Sequence, residues 1–98
     1  MDLSKTEAWR SKRYLAWVRD RPCAQCGKPG PSQAHHIIGL VGGHMGGKTG
    51  DQFAVPLCPF CHRELHEAHI ELEVQLRWLA RTQERAFHEG ALTDGDPT

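Results

Sequence analysis

Two cysteine pairs of one spacing, Cys23-x-x-Cys26 and Cys58-x-x-Cys61, are separated by 31 residues and account for all four cysteines of the chain. The repeated spacing favours one shared site. Four thiolates around a tetrahedral ion form a closed structural zinc site, with no position left for substrate. At 98 residues the chain is one small domain of marginal intrinsic stability, so such a site would carry much of the fold. The competing uses are two redox C-x-x-C pairs or plain buried thiols. No apolar run reaches signal-peptide or membrane-spanning length, which predicts a soluble, cytoplasmic protein with no membrane partner. In that reducing compartment, cysteine pairs bind metal or do redox work more often than they form structural disulfides.

Around the cysteines the chain reads as short elements. Ser4 to Glu7, "SKTE", has capping-box spacing ahead of Ala8, Trp9, Leu15, Trp17 and Val18, and predicts a helix over about residues 5–20, closed by Pro22. The turn-rich "PCAQCGKPGPSQ" then carries the first cysteine pair. "SQAHHII" and "QFAVPLC" read as short strands on either side of a glycine loop, "GLVGGHMGGKTGD". Pro59 suits the first turn of a helix that runs through "FCHRELHEAH". A second helix follows over residues 70–87, with a Glu73–Arg77 pair and with Leu72, Leu76 and Leu79 on one face expected to pack on the core. Gly90 ends it, and residues 91–98 read as a flexible tail.

Two patterns are decoys. Gly42 to Thr49, "GGHMGGKT", satisfies the phosphate-loop pattern, but a strand follows it where a helix is needed, and a nucleotide-binding α/β domain does not fit in this length. Nucleotide binding is not expected. Cys58 to His62 satisfies the haem-attachment pattern, yet that use leaves Cys23 and Cys26 unexplained and needs an export signal. Haem is not expected either.

With the cysteines assigned, the seven histidines become informative. His35 and His36 are adjacent on a strand, so their side chains leave opposite faces and can do different jobs. His62 and His66 lie one helical turn apart, the spacing that lets two imidazoles reach one ion. A solvated surface role is the ordinary alternative for any one of them. His44, His69 and His88 are secondary candidates.

The order "CAQC", "AHHII", "GG", "AVPLC", "CHRELH" resembles the HNH, or ββα-metal, endonucleases in the form whose strand and helix are tied by a four-cysteine zinc knuckle. The run from Ala34 to His66 is similar to phage recombination-enhancement nucleases and related prophage proteins. The resemblance covers about residues 22–69 and implies an α+β fold: a small zinc-stabilised ββα-metal core flanked by N- and C-terminal helices, in one domain over residues 1–90. It implies that His35, His62 and His66 hold a catalytic divalent metal (Zn, Ni, Co, Mn or Mg), that His36 is the general base, and that the substrate is DNA, nicked or cleaved with low sequence specificity. A phage or recombination DNA-processing protein is the implied partner class. The middle Asn of the family pattern is missing, since the chain contains no Asn; Phe53 stands nearest its aligned place, and Asp51 or Gln52 is left to orient the base.

Net charge is zero, so bulk charge does not drive nucleic-acid binding, but residues 1–30 hold seven Lys/Arg against three Asp/Glu. Arg10, Lys12, Arg13, Lys48 and Arg63 are the candidate phosphate contacts. A solvated charged face explains the same charges without DNA. The rival functions are a non-catalytic zinc module that binds DNA or protein, and a different metal hydrolase built on "HRELH", whose H-x-E-x-H order departs from the peptidase H-E-x-x-H.

Overall fold

The computed structural model describes residues 8–37 and 49–92. Their order is helix α1 (Lys12–Arg19), strand β1 (Gln33–His36), a 3-10 turn at Asp51–Phe53, strand β2 (Ala54–Leu57), helix α2 (Pro59–Ala68) and helix α3 (Leu72–His88). The result is a small α+β unit of one two-stranded sheet and three helices. Among the described residues no helix is long and apolar enough to cross a membrane.

Helix α1 starts later than its sequence pattern suggests. Ser11 is the N-cap, its hydroxyl accepting from the Tyr14 amide at 3.0 Å. The preceding residues cannot be helical because they are used elsewhere: the Trp9 carbonyl accepts from the Asp51 amide at 2.8 Å, and the Ser11 amide donates to the Asp51 carboxylate at 2.8 Å. Tertiary contact overrides local propensity here. The "SKTE" box lies outside the described residues. Helix α1 buries Tyr14 and Val18 against Ala86 of α3, with Trp9, Trp17 and Ala34 around them.

The two strands pair antiparallel, with Gln33 opposite Leu57 and His36 opposite Ala54. The Ile37 amide donates to the Phe53 carbonyl at 3.0 Å, which sets the alternation: His35–Val55 and Gln33–Leu57 are the hydrogen-bonded pairs, and Ala34–Pro56 is a non-bonded one. Pro56 therefore sits where its missing N–H takes nothing from the ladder. On the outer edge its carbonyl accepts from the Ala24 amide at 2.8 Å, which docks the first cysteine turn onto β2. All four residues of β2 are buried, so the sheet is covered on both faces.

Pro59 opens α2 at its first turn, and Cys58 caps it, its sulfur accepting from the Cys61 amide at 3.4 Å. His69 stops α2 in a left-handed conformation, φ 52°, and the chain turns into α3. The core-facing stripe of α3 is Trp78, Leu79, Thr82 and Ala86. Leu72 and Leu76, expected on that stripe, are 46% and 39% exposed, because the buried stripe is rotated away from them. Gly90, φ 74°, closes α3, with the Ala91 amide reaching back to the Ala86 carbonyl at 2.8 Å and the Gly90 amide to Phe87 at 3.2 Å. Ala91 and Leu92, read from sequence as the start of a tail, pack against the Tyr14–Val18–Ala86 cluster.

Candidate metal centre

The four cysteines converge. Their sulfurs all lie within 4.8 Å of one another, and none is in a disulfide. Cys26 Sγ and Cys58 Sγ are 3.8 Å apart, and a tetrahedron with Zn–S arms of about 2.3 Å has edges of about 3.8 Å. The amides of Cys26 and Cys61 point at Cys23 Sγ and Cys58 Sγ, at 3.5 and 3.4 Å, as donors that stabilise thiolate. Burial pushes the Cys23 thiol up, but amides of Cys26, Cys58 and Gln25 outweigh it and bring the group down to about 6. Burial and the neighbouring cysteines push Cys61 the other way. Without a cation the cluster supports one thiolate and resists the next; a dication resolves that conflict, so the donor set fits zinc. Cys23, Cys58 and Cys61 also belong to the main hydrophobic core with Ile37, Val55, Leu57 and Leu65.

A second group forms on the neighbouring wall of α2. His35 from β1 and His62 and His66 from α2 present nitrogens that all lie within 4.8 Å of one another. His35 Nδ1 and His62 Nε2 are 3.2 Å apart, near the spacing of about 3.3 Å that two nitrogens take around a tetrahedral ion. Burial, aided by His62 and His66, lowers His35 to about 4, and burial followed by His66 lowers His62. Both rings are therefore neutral at neutral pH, the form a metal ligand needs. The Cys58–His66 segment contributes to both groups, two sulfurs to one and two imidazoles to the other, because Cys61 and Leu65 face the core while His62 is half-buried and His66 is exposed.

His36 leaves β1 toward the other face. Its Nε2 is 2.9 Å from Asp51 Oδ1, and the Asp51 side chain is only 6% exposed. The same carboxylate takes the Ser11 amide and is 3.2 Å from Arg10 Nη1. Burial pushes the Asp51 carboxyl up, but hydrogen bonds from His36, the Ser11 amide and Arg10 outweigh it and hold the group below its ordinary range. Asp51 is thus a fixed anion beside His36. Of the two residues considered for orienting His36, Asp51 makes the contact; the backbone carbonyl of Gln52 accepts from Gln83 Nε2 at 2.7 Å.

Among the candidate phosphate contacts, Lys12 and Arg13 are exposed on α1 and Arg63 is exposed on α2. Arg10 is half committed to the fold, donating to the Thr49 carbonyl at 2.9 Å as well as approaching Asp51. Lys48, His44 and the phosphate-loop lookalike up to Lys48 lie outside the described residues. His69 lines an open hollow with His35, His66, Ile70 and Gln75, and His88 ends α3 away from the histidine group.

One contact escaped sequence reasoning. Gln33 Oε1 lies 2.6 Å from His62 Nδ1. The signal was available in principle, since Gln33 and His35 are two apart on a strand and so share a face.

The chain matches, over residues 1–90, a family described as "Protein of unknown function (DUF968)". It is 40% identical over 96 residues to "Uncharacterized protein YdfU" of Escherichia coli strain K12, covering 94% of this chain and 27% of that protein. Over 69 residues it is 40% identical to "Type IV methyl-directed restriction enzyme EcoKMcrA" of the same strain, covering 58% of this chain and 24% of the enzyme. The chain therefore spans about a quarter of the length of these curated relatives. No solved structure matches it. By a family match that takes in both cysteine pairs and all the clustered histidines, the chain belongs to the DUF968 family.

Proposed function

We propose that this chain is a metal-dependent HNH endonuclease domain that hydrolyses DNA phosphodiester bonds, nicking or cleaving with low sequence specificity. The observation that carries the reading is the juxtaposition on β1: His35 joins two helix histidines within ligand distance, while the next residue, His36, is tied to a buried carboxylate. The partial similarity to a restriction enzyme supports the same chemistry.

A divalent cation held by His35, His62 and His66 would supply stabilisation of the charge that builds on a phosphate group as its ester bond breaks. The protein's own residues supply the rest. His36 takes a proton from the attacking water through the ring nitrogen not facing Asp51, and the Asp51 carboxylate stabilises the imidazolium that results. The four-cysteine group holds α2 against the sheet, so that His62 and His66 stay opposite His35.

The test is conversion of supercoiled plasmid to the nicked form by zinc-loaded protein, with each of several divalent metals and with His36→Ala in parallel. A three-imidazole donor set favours transition metals over magnesium, which prefers oxygen ligands. Mn, Co, Ni or Zn is expected to support nicking at least as well as Mg. A strict magnesium requirement would remove the ligand assignment, and no nicking with any metal by folded, zinc-loaded protein would favour a non-catalytic zinc module.

DNA binding has its own prediction. Lys12→Ala and Arg63→Ala are each expected to lower the slope of log affinity against log salt by about one counterion, leaving sequence preference unchanged. Slopes equal to wild type would mean that these exposed cations face solvent in the complex.

A further inference from the structure

His35 and His62 reach toward each other with different ring atoms. His35 presents Nδ1 and His62 presents Nε2, 3.2 Å apart. Both nitrogens can face one cation only if neither carries a proton there, so a ring that serves as ligand needs a reason to keep its proton on the far side; without the cation, one of the two donates to the other. For His62 that reason is Gln33, whose side-chain oxygen is 2.6 Å from Nδ1. An amide oxygen only accepts, so the proton resides on Nδ1 and the Nε2 lone pair is left pointing at the cluster. Gln75 lines the same hollow as His35, its amide nitrogen donating to the Ile70 carbonyl at 2.9 Å.

The geometry points to Gln33 as a positioning residue that fixes the tautomer and rotation of His62 so that Nε2 faces the metal. This inference rests on the metal-site reading proposed above and extends it to a residue outside the ligand set. The strand pleat explains the choice of Gln33. Two positions before His35, it is on the same face, and its side chain is long enough to reach α2 beside His62. Outer acceptors of this type raise ligand basicity and typically alter metal affinity 10–100-fold when removed.

The experiment titrates cobalt(II) into protein whose cysteine group is already filled with zinc. The d–d absorption of cobalt on nitrogen ligands follows the histidine site, and absence of thiolate-to-cobalt charge transfer verifies that the cysteine group is untouched. Gln33→Ala is expected to weaken cobalt binding about 10-fold or more, and Gln33→Glu, which keeps the acceptor, to restore it to wild-type affinity or better. Nitrogen-15 shifts of the metal-free histidine site give a readout that a purely structural role would not move. His62 is expected as the Nδ1–H tautomer in wild type and shifted toward Nε2–H in Gln33→Ala. Wild-type affinity and an unchanged tautomer in folded Gln33→Ala would overturn the role of Gln33. Failure of wild-type protein to take cobalt at the histidines would instead remove the metal-site reading beneath it. Should Gln33→Ala not fold, the tautomer and affinity comparison between wild type and Gln33→Leu, which keeps the bulk of the side chain without its acceptor, decides the same question.

Discussion

Stripping zinc from the four-cysteine group is expected to unfold the protein rather than merely loosen one turn. Structural zinc binding contributes on the order of 10 kcal/mol in small domains, and a domain of this size has a total stability of about 5–15 kcal/mol. The site has no separate existence from the core: Cys23, Cys58 and Cys61 are nearly inaccessible and pack with Ile37, Val55, Leu57, Leu65 and Trp78. It also joins the first cysteine turn to α2, segments otherwise tied by a few hydrogen bonds: Ala24 to the Pro56 carbonyl of the sheet, Arg81 of α3 to the Ala24 carbonyl, and Gln25 to Glu64 of α2. Chelation should therefore abolish the cooperative thermal transition, and Cys58→Ser, which removes both a ligand and the α2 cap, should prevent folding at ordinary temperatures. Cys26→Ser should also release zinc, with less loss of packing because Cys26 is exposed. Circular dichroism with and without chelator, beside metal analysis, measures all three. Purified protein without one zinc per chain, or a transition indifferent to chelation, would refute the assignment.

How much of this was legible beforehand differs by residue type. Cysteine and histidine spacing carries chemistry that folding can only bring together, so the division of "CPFCHRELH" into sulfurs for one group and imidazoles for another follows from i, i+3 and i, i+4 geometry on α2, and the fold clusters those atoms accordingly. The strand–strand–helix order follows from Pro59 and the two short apolar runs. Leucine periodicity was less informative. Leu72, Leu76 and Leu79 do share a face, but the buried stripe is rotated to Trp78, Leu79, Thr82 and Ala86, a choice made by where α3 crosses β2 and α1 rather than by its own pattern. The beginning of α1 depends on Asp51, forty residues away from Ser11 in sequence, which no local capping rule includes. Glutamine was the hardest to see. Gln33 has no ligand chemistry of its own, and only the folded geometry sets it against the outer nitrogen of His62.

His36→Ala is expected to lower metal-dependent nicking by about 10²–10⁴-fold, the usual worth of a positioned general base, with zinc content and thermal midpoint near wild type. The small stability change is expected because His36 is on the half-exposed end of β1 and contributes no core area. Asp51 behaves differently, since one carboxylate serves two purposes. Toward the fold it satisfies the buried Ser11 amide and holds the entry to α1, so Asp51→Ala should cost about 2–3 kcal/mol by leaving that donor unpaired. On the proposed reading its part in the reaction runs through His36, 2.9 Å away. Asp51→Asn keeps an acceptor for Ser11 and removes the charge, and so separates the two: stability should largely survive while nicking falls, by less than in His36→Ala. The decisive comparison is with the double variant. If Asp51 works by orienting His36 and stabilising its protonated form, then adding Asp51→Asn to His36→Ala should cost no further activity, because the group it serves is already gone. Multiplicative losses in the double variant would instead mean that Asp51 acts on DNA or metal independently, and the His36–Asp51 pair would have to be read as two separate contacts.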